Sequence, residues 1–346
     1  MERRSVDAVV IGAGSAGLNA VAELEKAGAN WLLVEGAQYG TTCARVGCMP
    51  SKLLVAAADA AESVERAEVF GIRAQGVDID GAAVFERVRR ERDYFVAGAV
   101  ADTERFPAAR RLMGRARFVG PTSVQVGEAL VLDAKAIVIA TGSSPVVPPV
   151  LDPVRDRVRT SDDIFELRRV PASLAVIGTG IVGLELGQAL SRLGANVTFL
   201  DRSEHVGPLT DPAMQRYVQT VLRRTMKLEL NVAVSSAEPM EGAVRLRWKS
   251  AEGEERVGEF EEVLVAAGRR PNLAGLGLEQ TGLPLDERGM PPWDPQTAQC
   301  GDAPIFLAGD VNGHAPLLHE AIDEGRIAGE NAARIQTRCV MCAARR

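Results

Sequence analysis

The sequence predicts an α/β fold with two doubly wound domains, each built on a parallel sheet. The main observation is a pattern that occurs twice: a buried-strand run, a glycine-rich turn, a helical stretch and a second strand followed by an acid. Short strands between and after the two copies are typical of β-meander insertions. The composition agrees, because 34 glycines and 4% aromatic residues fit layered α/β structure with tight turns.

Charge and hydropathy argue against several classes of function. The net charge of -6 argues against a nucleic-acid partner. The sequence contains no run of 18 apolar residues, so no membrane-spanning helix is expected. Asp7, Glu23 and Glu25 interrupt the apolar N-terminal stretch, so a secretory signal is disfavoured. Five unevenly spread cysteines do not resemble a secreted disulfide framework, and we expect a cytoplasmic protein.

The first copy of the pattern begins with the strand run VDAVVI at residues 6–11. A helical stretch extends from the following GAGSAG turn to about Ala27, and the strand WLLVEG then places Glu35 near its end. The glycines of this turn are Gly12, Gly14 and Gly17.

The second copy begins with LAVI at residues 174–177. Its GTGIVG turn leads into a helix to about Leu193, and the strand NVTFL precedes Asp201. The glycines of this turn are Gly178, Gly180 and Gly183.

The acid follows the first glycine by 23 positions in both copies, from 12 to 35 and from 178 to 201. In such a turn the first glycine permits a tight bend, the second lets a phosphate approach the backbone, and the third lets the helix approach the strand. The acid accepts hydrogen bonds from a ribose diol. The chain is therefore predicted to bind two dinucleotides in Rossmann-like domains.

The strands outside these two copies end in small residues and glycine. A predicted meander over residues 114–140 leads into AIVIATGSSP, and FEEVLVAAGRRPN and IFLAGD come later. These runs are buried parallel strands on the simplest interpretation. Glycines at their carboxyl ends would also let a flat ligand pass close to the backbone.

Cys43 and Cys48 lie in the segment GTTCARVGCMPSK. Two residues spaced i, i+5 on a regular helix have Cα atoms about 8–9 Å apart, whereas a disulfide tolerates roughly 7 Å at most. A bridge would need distorted backbone, which Gly47 and Pro50 permit, and a strained bridge suits redox chemistry. Two buried reduced cysteines, or half of a zinc site, remain alternatives.

The segment GTTCARVGCMPSK resembles the redox signature of the class I pyridine nucleotide–disulfide oxidoreductases. The resemblance continues through ATGSSP, GTGIVGLELG, GRRPN and FLAGD to about Ala333. It implies a flavoprotein of cell redox homeostasis that holds FAD, a pyridine nucleotide and a redox-active cysteine pair.

The resemblance also implies four catalytic residues. Cys43 would exchange with a disulfide or dithiol substrate, and Cys48 would lie against the flavin as the charge-transfer thiolate. Lys52 would sit near the reactive nitrogen of the flavin and pair with Glu185, so that a fixed cation stabilises the reduced flavin.

The cofactor-binding residues are implied in the same way. Asp310 would bind the ribityl chain and phosphates of FAD, backbone near Ala116 would meet the adenine, and the peptide at Leu318 would meet the flavin ring. The expected FAD set is Gly12, Gly14, Gly17, Glu35, Gly36, Thr42, Lys52, Ala116, Thr141, Gly142, Asp310 and Leu318. The expected pyridine nucleotide set is Gly178, Gly180, Gly183, Asp201, Arg202, Val232 and Gly268.

Asp201 and Arg202, at the end of the second copy, favour different nicotinamide cofactors. An acid at position 201 repels a 2′-phosphate and favours NAD, whereas Arg202 stands where NADP-using relatives place a phosphate-binding arginine. We give the acid more weight because repulsion between like charges in a half-buried pocket is costly. NAD is the expected cofactor and NADP the alternative.

The implied activity is most like that of dihydrolipoyl dehydrogenase, acting on a small-molecule or protein-borne dithiol or disulfide. A mercuric reductase-like enzyme or another disulfide reductase is the alternative, as is a truncated, non-catalytic FAD/NAD-binding remnant. The expected domains are an FAD domain at 1–145 and 275–335, a pyridine nucleotide domain at 146–274 and a tail at 336–346.

Family members carry a C-terminal dimerisation domain with a His–Glu pair, and this domain is expected to be absent here. The three histidines, His205, His314 and His319, lack the family setting, and no metal site is expected. Truncation or frameshift, a naturally small reductase, and a C-terminal dithiol at Cys339 and Cys342 are the competing explanations. The homodimer of full-length relatives is therefore uncertain for this chain.

Overall fold

The computed structural model describes the backbone of residues 2–343 and the side chains of residues 2–335. The strands among these residues are β1 Glu2–Ile11, β2 Trp31–Glu35, β3 Arg111–Met113, β4 Ala116–Gly120, β5 Ser123–Val126, β6 Leu130–Ile139, β7 Ser143–Pro145, β8 Val158–Arg159, β9 Ser173–Ile177, β10 Asn196–Leu200, β11 Lys227–Glu229, β12 Val234–Met240, β13 Ala243–Lys249, β14 Glu255–Phe260, β15 Glu262–Val265, β16 Arg269–Pro271 and β17 Ile305–Leu307. The α-helices are α1 Ser15–Lys26, α2 Thr42–Arg45, α3 Cys48–Glu65, α4 Gly81–Glu104, α5 Ile181–Arg192, α6 Pro212–Leu222 and α7 Leu318–Ala343.

The chain divides into two compact units. The first comprises the residues up to Cys43, Val96–Ser144 and the residues from Arg270 onward, and the second comprises Ala44–Phe95 and Pro145–Arg269. The predicted domains changed at 145/146 and 274/275, close to two of these boundaries. The segment Ala44–Phe95 was expected in the FAD domain but clusters with the second unit.

The first unit is built on a seven-stranded sheet. Strands β3, β2, β1, β6 and β17 run parallel in that order. The amino-terminal half of β6 also pairs with β5 in an antiparallel meander that continues to β4. The strands are buried on both sides, one face packing with α1 and α7 and the other with the loops after Arg270.

Helices α1 and α7 approach each other closely in the first unit. A Cβ built on Gly325 would lie 2.3 Å from the Ala16 carbonyl oxygen, and one on Gly329 would lie 2.5 Å from that of Ala20. Only glycine therefore fits these two positions of α7. Small residues along both helices allow the contact.

The second unit has a five-stranded parallel sheet in the order β11-β10-β9-β15-β8. An antiparallel three-stranded sheet, β12-β13-β14, lies in the same unit. Leu54 and Ala58 of α3 are fully buried in one hydrophobic core with Leu186 and Leu190 of α5. This packing explains why the segment from Ala44 clusters with the second unit.

The predicted α/β fold with two doubly wound sheets and meander insertions is confirmed. The strands and helix ends of both copies were predicted to within about two residues of their observed bounds, except that β1 begins at Glu2, four residues before the predicted start at Val6. The backbone of α7 continues to Ala343, into the stretch that was predicted as a tail. The side chains of Cys339 and Cys342 lie outside the described part of the chain. Across the described residues, no helix is long and apolar enough to span a membrane.

Candidate active site

The first glycine-rich turn follows β1 and has three different glycine environments. Gly12 has φ +108°, and a Cβ there would lie 2.3 Å from the Ala140 carbonyl oxygen. A Cβ on Gly17 would lie 1.9 Å from the Gly12 oxygen, because α1 starts close against the strand. At Gly14, by contrast, a Cβ would meet no described atom within 4 Å. The middle glycine is thus open to a ligand and the outer two close the turn.

The second turn repeats this geometry after β9. Gly178 has φ +107°, and its Cβ would lie 2.4 Å from the Ala266 carbonyl oxygen. A Cβ on Gly183 would lie 2.1 Å from the Gly178 oxygen. Gly180 is the open position, with no atom of the described chain within 4 Å of its Cβ. In both copies the outer glycines are closely packed and the middle one is open, while the binding of a phosphate at the open position stays a prediction.

Glu35, at the carboxyl end of β2, is hydrogen-bonded to the first turn. Its Oε2 accepts from the Ala13 amide at 2.8 Å and its Oε1 from the Ala37 amide at 2.9 Å. Each oxygen has one more lone pair in the carboxylate plane. The carboxylate can therefore accept two further hydrogen bonds, the number that a ribose diol donates.

Asp201, directly after β10, is held by one more donor than Glu35. Its Oδ2 accepts from the Thr179 amide at 2.5 Å and from the Thr179 hydroxyl at 2.7 Å. Its Oδ1 accepts from the Ser203 amide at 2.8 Å. The acid is partly exposed, and the neighbouring Arg202 is exposed.

A cavity of about 520 Å³ opens beside the second turn. Five of the residues predicted to bind the pyridine nucleotide line it: Gly178, Gly180, Asp201, Arg202 and Val232. Val232 is buried and donates its amide to the Asp201 carbonyl oxygen at 2.8 Å. Gly268 lies after β15 with φ +105°.

Asp310 and the ATG segment lie at the carboxyl edge of the first sheet. Asp310 Oδ2 accepts from the Ser143 hydroxyl at 3.0 Å. Thr141 donates its hydroxyl to the Asn272 carbonyl oxygen at 2.8 Å, and the Asn272 side chain donates to the Thr141 carbonyl oxygen at 2.9 Å. The Asn272 amide also donates to the Gly142 carbonyl oxygen at 2.9 Å. Asn272 therefore fixes the turn that carries Thr141 and Gly142.

A buried carboxylate supports the loop that carries Asp310. Glu324 of α7 accepts from the Gly309 amide at 2.7 Å and from the Asn312 side-chain nitrogen at 2.8 Å, both through Oε2. Burial raises the pKa of Glu324, and Glu320 raises it further, while the two hydrogen bonds and His314 lower it. The Asn312 side-chain oxygen accepts from the His314 amide at 2.9 Å.

The backbone around Cys43 and Cys48 is not one regular helix. Cys43 lies in the short helix α2, and Cys48 is the first residue of α3. Between the helices Gly47 has φ -116° and ψ -116°, outside helical geometry, and it is one of the two residues expected to permit the distortion that a bridge would need. Both cysteines are partly exposed. Burial raises the pKa of the Cys300 thiol to about 12, so that thiol is inert.

Lys52 and Glu185 are in contact in the second unit. Lys52 lies one turn after Cys48 on α3, and its Nζ is 2.5 Å from Glu185 Oε2 on α5. A second ion pair between the same helices joins Arg192 to Asp59 at 2.7 Å and to Glu62 at 2.5 Å. The position of Lys52 relative to a flavin stays a prediction.

The other predicted FAD residues lie at the starts of elements or in turns. Thr42 begins α2, Ala116 begins β4 and Leu318 begins α7. Gly36 is exposed and directly follows β2. Their contacts with a cofactor stay predictions.

Sequence analysis missed three residues that hold the site in place: Thr179, Asn272 and Glu324. Thr179 lies inside the second glycine-rich motif, in which only the glycines and the following acid were assigned roles. Asn272 lies in the GRRPN motif, and no role was predicted for it. The available signal for Glu324 was its place on the same helix face as Ala321 and Ala328, three positions before it and four after it.

Comparisons with known proteins agree with this geometry. Residues 6–325 match the family model described as pyridine nucleotide–disulphide oxidoreductase. The chain is 36% identical over 343 residues to dihydrolipoyl dehydrogenase 3 of Pseudomonas aeruginosa. This match covers 95% of the chain and 72% of that protein. It is 32% identical over 336 residues to dihydrolipoyl dehydrogenase of Chlamydia muridarum, with 94% and 70% covered.

A solved structure with a similar fold is the Cu(II) complex of the HOCl-induced flavoprotein disulfide reductase RclA from Escherichia coli. The TM-score is 0.80 at 26% identity, and the match covers 94% of this chain and 70% of RclA. The family model spans nearly the whole chain, and the relatives exceed 30% identity over most of their length. The resemblance seen in the motifs is thereby confirmed, and the chain belongs to the pyridine nucleotide–disulphide oxidoreductase family of flavoprotein enzymes.

Proposed function

We propose that the chain is an FAD-dependent oxidoreductase that passes electrons between a dithiol and NAD through Cys43 and Cys48, as in dihydrolipoyl dehydrogenase. One observation carries the proposal most directly. Lys52 lies one turn after Cys48 and is paired with Glu185, which lies two residues after the last glycine of the second glycine-rich turn. Within the second unit, this contact joins the helix that begins at Cys48 to the helix that begins in the second glycine-rich turn.

The first unit fits FAD. Gly14 leaves room for the pyrophosphate at the N-terminus of α1, and Glu35 keeps lone pairs for both hydroxyls of the adenosine ribose. Asp310 is supported by Ser143 and by the loop that Glu324 holds. FAD, when bound, would supply the two-electron carrier between the dithiol and the pyridine nucleotide.

The second unit fits a pyridine nucleotide. Gly180 leaves room for a pyrophosphate, and the cavity beside it is lined by Asp201 and Val232. The fixed carboxylate of Asp201 favours NAD over NADP, because a 2′-phosphate would meet a like charge. The exposed Arg202 is the feature that favours the opposite choice.

The chemistry proposed for the cysteines is thiol–disulfide exchange. A substrate thiolate attacks the Cys43 sulfur of the oxidised pair, the bond between Cys43 and Cys48 breaks, and Cys48 leaves as a thiolate. The second substrate thiolate then attacks the substrate sulfur of the mixed disulfide and releases Cys43. The substrate is thereby oxidised to a disulfide, and the cysteine pair is reduced by two electrons. Overall, a dithiol and NAD⁺ give a disulfide, NADH and a proton.

The protein residues around this pair would stabilise the anionic states. Cys48 is the first residue of an 18-residue helix, whose N-terminal end favours negative charge. Glu185 holds the Lys52 ammonium in one place, and a fixed cation stabilises negative charge that develops beside it.

The purified holoenzyme should be yellow with one FAD per chain.

Two serine variants test the assignment of the cysteines. Cys48→Ser should abolish the long-wavelength charge-transfer absorbance that appears on reduction by two electrons. Cys43→Ser should instead show this absorbance without reduction, because it leaves the Cys48 thiolate without its partner. Identical spectra for the two variants would show that the roles are wrong.

A second candidate function is reduction of a disulfide or a metal ion by a pyridine nucleotide. The likeness to RclA favours it, because RclA is a disulfide reductase whose structure was solved with Cu(II). Turnover distinguishes the candidates. Oxidation of dihydrolipoamide with NAD⁺ supports the first, whereas NADH-driven reduction of other disulfides or of Cu(II), without lipoamide turnover, supports the second.

A further inference from the structure

The two glycine-rich turns differ at the residue between their first two glycines. This residue is Ala13 in the first turn and Thr179 in the second. Both are buried, with 2% and 1% of their surface exposed, and both donate a backbone amide to the acid of their own copy. Each acid also accepts from the amide two positions after it, Ala37 for Glu35 and Ser203 for Asp201, so the bond from the Thr179 hydroxyl is an addition to this shared pattern.

This hydroxyl holds the Asp201 carboxylate from its buried side. Thr179 Oγ1 donates to Asp201 Oδ2 at 2.7 Å, on the same oxygen that accepts from the Thr179 amide. With the Ser203 amide on Oδ1, three donors fix the orientation of the carboxylate. The Glu35 carboxylate has only two such donors.

The proposed ligands of the two turns differ in one relevant respect. The adenosine ribose of FAD has free hydroxyls, so the first turn has no phosphorylated competitor to reject. A pyridine nucleotide occurs with or without a 2′-phosphate. To admit that phosphate, the Asp201 carboxylate would have to turn away, and each donor that holds it opposes this movement.

We propose that Thr179 is a specificity-determining positioning residue, which strengthens the preference for NADH over NADPH by fixing the Asp201 carboxylate. The inference rests on the proposed function, because it takes the cavity beside the second turn as the pyridine nucleotide site. The effect is moderated by a second acceptor. Thr179 Oγ1 is also 3.2 Å from the His205 carbonyl oxygen, so the hydroxyl keeps a partner when Asp201 moves.

The test uses Thr179→Val in the holoenzyme, with Thr179→Ser as the matched control. Valine keeps the shape of the buried side chain and removes the donor, whereas serine keeps the donor. The ratio of kcat/KM for NADH to that for NADPH, with a dye as electron acceptor, should fall by about fivefold in Thr179→Val, which is less than a full hydrogen bond to a charged group would give because the His205 carbonyl oxygen is a second acceptor for the hydroxyl. It should stay within about twofold of wild type in Thr179→Ser.

A double-mutant cycle separates this role from general packing. In an Asp201→Ser background, Thr179→Val should no longer change the NADH to NADPH ratio, because the carboxylate is gone. An unchanged ratio in Thr179→Val, in an enzyme that retains FAD and uses NADH, would overturn the inference and leave the proposed function standing. If the wild-type holoenzyme binds neither nucleotide, the proposed function fails and the inference with it.

Discussion

Lys52 and Glu185 are separated by 133 positions in the sequence and meet through two helices of the second unit. Lys52→Met should slow the reduction of the holoenzyme by NADH about tenfold or more, because a fixed cation beside the transferred charge is lost. Glu185→Gln should slow it less, because the ammonium remains but is held less firmly. Stopped-flow absorbance under anaerobic conditions measures both rates.

The matched control is Arg192→Met. Arg192 joins the same two helices through Asp59 and Glu62, away from the cysteine end of α3. Loss of this pair should lower Tm slightly and leave the reduction rate unchanged. If Arg192→Met slows reduction as much as Lys52→Met, the effect of Lys52 comes from helix packing rather than from its charge.

Glu324 gives a prediction for the dependence of stability on pH. Burial raises its pKa above the ordinary 4.5. A carboxyl whose pKa is higher in the folded state contributes stability below the unfolded pKa and loses it as the pH rises through the folded pKa. Wild type should therefore lose stability relative to Glu324→Gln as the pH rises above about 4.5. The Tm of both proteins, measured from acidic to neutral pH, checks this.

The glutamine variant is suitable because its single side-chain oxygen can accept both bonds that Glu324 Oε2 now accepts. It should therefore retain FAD. Glu324→Ala would leave the Gly309 amide and the Asn312 side chain without this acceptor, at about 1–3 kcal/mol for each buried donor. Parallel Tm curves for wild type and Glu324→Gln would contradict the raised pKa.

At the scale of elements, the close contact of α1 and α7 predicts that replacing a glycine of α7 destabilises the first unit. Gly329→Ala places a methyl group about 2.5 Å from the Ala20 carbonyl oxygen, in contact with backbone that cannot move freely. Overpacking of this kind destabilises by about 1–3 kcal/mol. Denaturant unfolding should show this loss in the free energy of unfolding.

Gly98→Ala is the control within helix α4. A Cβ there meets no described atom within 4 Å, so only the helix propensity changes. Alanine should stabilise the helix by about 0.5–1 kcal/mol. A stabilising effect at both positions would show that α1 and α7 can separate without cost.

The elements around the glycine turns could be predicted from sequence because their causes are local. A positive φ at Gly12 and the close approach at Gly17 depend on residues within one strand and one helix. The unit to which Ala44–Phe95 belongs could not be predicted in this way. It depends on the packing of α3 against α5, more than a hundred positions later in the chain. The role of Thr179 was hidden for a related reason, since its importance follows from its distance to Asp201.

At the scale of the whole molecule, the chain contains two similar sites that use equivalent acids in separate units. Glu35 lies in the first unit and Asp201 in the second, each bonded to its own glycine turn. The effects of removing the two acids should therefore be separable. Glu35→Ala should weaken FAD binding, and Asp201→Ala should weaken NADH binding.

The expected size follows from the hydrogen bonds that each carboxylate would make to a ribose. Loss of charge-assisted bonds worth about 1.5–3 kcal/mol raises the Kd roughly 10- to 100-fold. Bound FAD per chain measures the first effect, and the increase in Tm with NADH concentration measures the second, since a ligand stabilises by an amount set by its concentration relative to Kd. Asp201→Ala should keep its full FAD content, and apo-Glu35→Ala should still be stabilised by NADH. Loss of FAD from Asp201→Ala would mean that the two sites do not act independently, and the assignment of one nucleotide to each unit would have to be abandoned.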